Sequence, residues 1–348
     1  MTAVTETPIV DVPATRSHRV AETVSRTREI AIGVAILVVF GLTTLKNPGF
    51  AHASSVQEIL TGAALIGLLA VGETVVIVTR NVDLSVGSTL GLSAFELGKL
   101  FTHHPHMPIA LAFLIGIGIG VVCGVIIGLV TTVAKVPSLV VTLAALYIIR
   151  GYINLIGSGT QIESSAIPSS FQKVGYGTVL GIPWLFVIVF VIVLAAAYGM
   201  RTFRASRDLY AIGSNPEAAA LAGIPIGRRV LAAFALSGAL AGLGGALFLA
   251  EYAQVDATGG TGYELLVVAA VVVGGVAIFG GSGSVIGALL GAVLLQVINQ
   301  ALVAVKVSSF WDQALAGALL LGAIAFDRFI GVRTSRALRA KGGASHVA

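Results

Sequence analysis

RNVDLSVGS, residues 80–88, interrupts an otherwise apolar run. ILTGAALIGLLAVGETVVIVT (59–79) precedes it and TLGLSAFELGKLF (89–101) follows. The first flank is long enough to be a membrane helix and the second is short and glycine-rich, so the nature of the interruption decides the fold. Asp83 and Ser85 are both good N-caps for the helix that follows. Short, interrupted helices in membranes line cavities, because unpaired backbone groups cannot face lipid. A tight cytoplasmic turn whose Asp83 only caps a helix fits the same residues, and the two readings are compatible.

The rest of the chain supports a membrane setting. Its 348 residues are 56% hydrophobic and 11% charged, with mean hydropathy +0.98. Soluble domains carry about 25% charge, so the chain reads as an integral membrane protein. The hydrophilic tails, 1–28 and 327–348, are shorter than ordinary domains. The first 28 residues lack the apolar core and small-residue cleavage site of a secretory signal. Cys123 is the single cysteine, which excludes an intrachain disulfide. The net charge of +5 is a matter of topology here, not of nucleic-acid binding.

A bilayer core needs about 20 apolar helical residues. Ten spans are expected, at 29–45, 58–79, 86–102, 109–133, 137–157, 183–200, 230–251, 262–280, 284–304 and 310–326. The expected fold is an all-α polytopic membrane domain over 29–326, with a cytoplasmic loop at 201–229. An even number of spans puts both tails on one side. With the tails inside, inner segments hold 16 of the 21 basic residues, outer loops hold Lys46, Lys99, Lys173 and Lys306, and Arg150 falls within a span. That bias places both termini in the cytoplasm. Trp184 and Trp311 then sit at outer span ends, where aromatic rings anchor. The outer loop 158–182 is long enough for a short structured element. HHPH (103–106) has a metal-like composition, but it lacks a neighbouring carboxylate and histidines are common in exposed loops.

Gly87-Ser88-Thr89-Leu90-Gly91 and Gly283-Ser284-Val285-Ile286-Gly287 share a pattern at an offset of 196 residues. Both open inside-to-outside spans, which suggests two weakly related halves. Glu73, Glu96, Arg150, Glu251, Glu264 and Asp312 lie in or near spans. Glu73 and Arg150 are the deepest, where an uncompensated charge costs at least ~2.5–3.5 kcal/mol. They should face the bundle interior, water or each other. Together with Asp83, Ser85 and Ser88 they are the candidate residues of a translocation path. GIGIGVVCGVIIG (115–127) and GALAGLGGAL (238–247) place small residues four apart, which permits close helix packing.

The loop stretch GSNPEAAALAGIPIGRR (213–229) reads as a short helix. Asn215 is its N-cap, Pro216 its first position, Glu217 lies in the first turn, and Gly223 is the stop, with Pro225 beyond. About seven residues give a helix of ~10 Å, too short to be stable alone in water. It must pack against its own bundle or a partner. Its alanines, Ala218, Ala219, Ala220 and Ala222, make it slim enough for a groove. No G-x-x-x-x-G-K-[ST] occurs in the chain, so it has no phosphate-binding loop of its own. A polytopic protein without a motor is a channel, an ion-coupled carrier or the membrane half of an ATP-driven machine. Only the last needs a cytoplasmic docking helix.

TRNVDLSVGS (79–88) resembles the Gly-Gly-Ile-Asp-Leu-Ser-Val-Gly-Ser signature of simple-sugar ABC importer permeases, the ribose/rhamnose/xylose-type family. Arg80 and Asn81 stand where that signature has paired glycines, a variant closer to rhamnose-type and autoinducer-2-type permeases. AIGSNPEAAALAGIPIGRR (211–229), the glycine-rich 271–302 block and the Arg150-Gly151 pair are similar to other segments of the family, in the family's order. The resemblance implies a subunit of the bacterial plasma membrane that pairs with a second permease, identical or paralogous. It implies an extracytoplasmic solute-binding protein, and ATPase subunits that use ATP and Mg and dock on Asn215–Ala222; this chain itself would bind no cofactor. Gly213, Asn215, Pro216, Glu217, Ala218, Ala219 and Gly223 would form the coupling site. More distant branched-chain amino-acid permeases keep an amino-acid cargo open, and an ion-coupled carrier or channel is the alternative outside the family.

Overall fold

A computed structural model describes the backbone from Thr15 to Ser308, with scattered positions between 311 and 325, and side chains from Arg28 onward. Twelve helices follow one another within Thr15–Ala304: α1 (Thr15–Lys46), α2 (Ala53–Val78), α3 (Val86–His103), α4 (Ile109–Val133), α5 (Ser138–Gly157), α6 (Ser169–Tyr176), α7 (Trp184–Thr202), α8 (Arg204–Ser214), α9 (Pro216–Leu221), α10 (Ile226–Tyr252), α11 (Tyr263–Val273) and α12 (Val285–Ala304). A two-stranded hairpin, β1 (Thr178–Val179) and β2 (Ile182–Pro183), joins α6 to α7. It accounts, with α6, for the structured element expected in the 158–182 loop.

Seven helices among the described residues are long and apolar enough to cross a membrane: α1 from Arg28 onward, α2, α4, α5, α7, α10 and α12. The chain is an all-α polytopic membrane protein. The last expected span, 310–326, falls largely outside the described residues, as do Asp312 and the tail 327–348. Helix α1 begins at Thr15, so half of the expected N-terminal tail is helical.

Helix α2 is the hub. Its apolar window is 89% buried, against 22–28% for α4, α5 and α7, which present their other faces to lipid. Lipid is as apolar as leucine, so van der Waals packing rather than water exclusion must hold such a bundle together. The closest seam is between α4 and α10. A Cβ on Gly120 would collide with the Gly238 carbonyl, one on Gly124 with that of Phe234, and one on Gly242 with that of Gly116. The two glycine-rich stretches read from the sequence therefore meet backbone to backbone.

The expected span 86–102 forms α3 but is not among the seven helices long and apolar enough to cross a membrane, and two further expectations need correction. The run 262–280 is not one helix. Only Tyr263–Val273 is helical, about 16 Å at 1.5 Å per residue, half of the ~30 Å a bilayer core requires. Gly275, Gly280, Gly281 and Gly283 all have positive φ, and these turns carry the chain irregularly to α12. An apolar run does not reveal a break when glycine, also apolar, makes it. The loop 201–229 is also more structured than read: α8 occupies its first half, amphipathic and ending at Ser214.

The shared glycine-serine pattern opens a helix in both places. The 196-residue offset would start α12 at residue 282, but α12 starts at Val285, so the two motifs sit three residues out of step on their helices.

Hydrogen bonds sort the loops into two ends. At one end, Arg80 reaches the end of α8, Gly281 N–H donates to the Val78 carbonyl at 2.9 Å, and Arg28 donates to Gly275. At the other, Asn47 donates to the Ala304 carbonyl, Gln57 to Gly181, and Ile162 pairs with Val255. The first end holds the loops expected inside, the second those expected outside.

Candidate functional site

Helix α2 ends at Val78, and the chain turns at Arg80, whose φ of +66° is left-handed. That conformation costs a non-glycine residue roughly 1–2 kcal/mol. The guanidinium turns back to the end of α8, with Nε donating to the Gly213 carbonyl at 2.5 Å and Nη2 to the Ser214 carbonyl at 2.8 Å. Last-turn carbonyls lack helical partners and attract cations, so the contact satisfies both needs of that terminus.

Three residues on, Asp83 is 1% exposed. Its Oδ1 accepts from Ser85 N–H (3.0 Å) and Ser85 Oγ (2.6 Å), and its Oδ2 accepts from Ser237 Oγ of α10 (2.9 Å). Both carboxylate oxygens are thus used. Asp83 N–H donates to Glu73 Oε1 of α2 at 3.1 Å. Glu73 is fully buried, and its Oε2 has no partner. Ser88 Oγ donates to the Ser85 carbonyl. Helix α5 closes the site: Ser138 Oγ accepts from Val82 N–H, and Thr142 Oγ1 donates to the Val82 carbonyl, each at 3.3 Å. The break is therefore a buried polar knot joining α2, α3, α5 and α10. Ser85 occupies the cap position of α3, but its hydroxyl serves Asp83 and makes no cap bond.

Arg150 does not join this knot, and no Glu73–Arg150 pair forms. Its Nη1 donates to the carbonyls of Gly259 (2.6 Å) and Ala257 (3.4 Å). These belong to the non-helical segment after α10, which runs antiparallel along α3. Val255 lies at Gly98, Gly259 at Gly91 and Gly260 at Gly87. Eleven residues of α3 correspond to ~16 Å of descent. Irregular backbone at membrane depth is tolerated where protein buries it, and Arg150 supplies donors to its carbonyls. Gly87 and Gly91, one turn apart, leave room for it; a Cβ on either would strike the Gly260 or Gly259 carbonyl. Glu264 also faces Gly87. Glu251 lies at the outer end, lining a cavity of about 230 Å³ with Ser54, Gln57, Glu58 and Tyr176.

Helix α9 matches its sequence reading. Asn215 Oδ1 accepts from the N–H groups of Glu217 and Ala218, both at 3.1 Å, and Pro216 takes the first position. Gly223, at φ +75°, ends the helix, and Ile224 N–H returns to the Ala219 carbonyl. Ala219 packs inward, while Glu217, Ala218 and Ala220 face outward with Leu221, which is 92% exposed. Gly213 belongs to α8 instead. A Cβ there would collide with the Val78 carbonyl and Gly281 N, so α8, the end of α2 and the 280–281 turn meet at backbone contact.

Sequence reading had missed Ser237, Ser138 and Thr142. Each is a single hydroxyl in an apolar run, and the only signal was that a buried hydroxyl needs a partner.

Residues 55–324 match the family model described as "Branched-chain amino acid transport system / permease component". The chain belongs to this permease family. The permease is 34% identical over 306 residues to the autoinducer 2 import system permease protein LsrC of Enterobacter sp. (strain 638), covering 88% of each chain. It is 33% identical over 304 residues to LsrC of Photorhabdus luminescens, covering 87% of this permease and 91% of the relative. With LsrC of Salmonella typhi it shares 33% over 317 residues, or 91% and 90%. No solved structure matches the permease.

Proposed function

We propose that this permease carries a small sugar-like solute, of the autoinducer-2 type, into the cytoplasm. It is the membrane-spanning subunit of an ATP-binding cassette importer, a role its family membership and its LsrC relatives support. Hydrolysis of ATP with Mg belongs to a separate subunit in this reading; the permease itself binds no cofactor. A second permease subunit and an extracytoplasmic solute-binding protein complete the assembly in the bacterial plasma membrane, with both termini cytoplasmic.

The observation that carries the reading is the geometry around α9. A six-residue helix, capped at both ends, presents an outward face with an exposed leucine beside Glu217. A single exposed leucine is ordinary by itself; what supports docking is that a helix too short to be stable alone presents it together with Glu217, Ala218 and Ala220 on one outward face. Through Gly213 and Arg80 the same corner touches the break that holds Asp83, Ser85, Ser88 and Glu73. Motion at α9 then reaches the polar knot, and rearrangement of the knot opens the path. Rigid-body gating around broken helices is the general mode of such folds.

Cells depending on this system are expected to deplete autoinducer-2 from the medium, and branched-chain amino acids should not compete. Leu221→Asp should abolish depletion at normal membrane abundance. Competition by leucine or valine would move the cargo to the amino-acid branch of the family, and depletion unaffected by Leu221→Asp would remove α9 from the docking site.

A further inference from the structure

We infer that Arg80 is a positioning residue that transmits the movement of α9 to the α2–α3 break. The inference rests on the importer reading above. Three observations carry it. First, Arg80 holds a left-handed φ of +66°, a conformation in which glycine would be free of strain. Backbone need does not account for arginine at this place; its side chain does. Second, the guanidinium holds two consecutive carbonyls, Gly213 and Ser214, at 2.5 and 2.8 Å. The next residue, Asn215, is the N-cap of α9. Arg80 thus grips the elbow between α8 and α9, one residue from the docking helix. Third, Arg80 is three residues from Asp83, whose carboxylate is tied to Ser237 of α10 and whose N–H is tied to Glu73 of α2. The Arg80 stem also crosses Gly280, where a Cβ would come within 2.6 Å of Arg80 Cγ. A planar guanidinium with two donors in fixed register carries a displacement in a defined direction. A single flexible ammonium does so less well.

Backbone contact between Gly213 and Val78 keeps the two elements adjacent without Arg80. Removal of the side chain should therefore loosen the transmission and not the fold. The test uses the full complex of permease, ATPase and binding protein in proteoliposomes, comparing wild type with Arg80→Gly and Arg80→Lys. Arg80→Gly should keep wild-type thermal stability and co-purify with the ATPase, while the solute moved per ATP hydrolysed falls about tenfold, as expected for a lost coupling contact. Arg80→Lys should recover part of that ratio. An unchanged ratio in Arg80→Gly would overturn the inference. Loss of uptake in proportion to loss of folded complex, or loss of ATPase co-purification, would also overturn it, by making the residue structural or a docking contact. If wild type itself shows no ATP-driven uptake, the importer reading fails before Arg80 is tested.

Discussion

Asp83 and Glu73 show how differently two buried carboxyl groups can be used. Every oxygen of Asp83 accepts a donor, three in total, whereas Glu73 uses one oxygen for one backbone N–H. Asp83→Ala would leave three buried donors, Ser85 N–H, Ser85 Oγ and Ser237 Oγ, without their acceptor, at about 1–3 kcal/mol for each that finds no other partner. Glu73→Gln keeps the acceptor that Asp83 N–H needs. Thermal unfolding of the detergent-purified permease should therefore show a clear loss for Asp83→Ala and little change for Glu73→Gln; equal losses would contradict the described bonding. The sequence marked Asp83, Ser85, Ser88 and Glu73 as belonging together, because charge and hydroxyl density in an apolar run is visible. A Glu73–Arg150 contact stayed open in the sequence, because nothing there shows that 255–260 descends along α3, and it does not form. The partners of Arg150 are backbone carbonyls, and every residue has one.

Among the elements, α9 and the α4–α10 seam were legible because their signals are local. Asn-Pro-Glu at a helix start and Gly-Ile-Pro at its end define α9 without tertiary information, and glycines four apart define a seam. The eighth span was not legible, because glycine reads as apolar while breaking the helix at 274–283. Within α4 the seam gives a paired test. Gly120 faces the Gly238 carbonyl, whereas Gly118 has nothing near it. Gly120→Ala should destabilise by about 1–3 kcal/mol through overpacking. Gly118→Ala should be neutral or gain up to about 1 kcal/mol of helix propensity. Thermal midpoints in detergent measure both, and an equal response would place the seam elsewhere.

At the scale of the molecule, the permease is built on a buried helix, α2, packed against α7, α10, α11 and α12. One corner joins α8, α9, the end of α2 and the glycine turns before α12. That corner ties the outward-facing α9 to the buried knot of Asp83, Glu73 and Ser237, and the chain has no phosphate-binding loop to drive itself. The most direct test is solute uptake into proteoliposomes containing the permease alone, or the permease with its ATPase and binding protein, with and without ATP. Uptake should occur only in the full complex supplied with ATP. Uptake by the permease alone, driven by an ion gradient or by the solute gradient, would contradict the account.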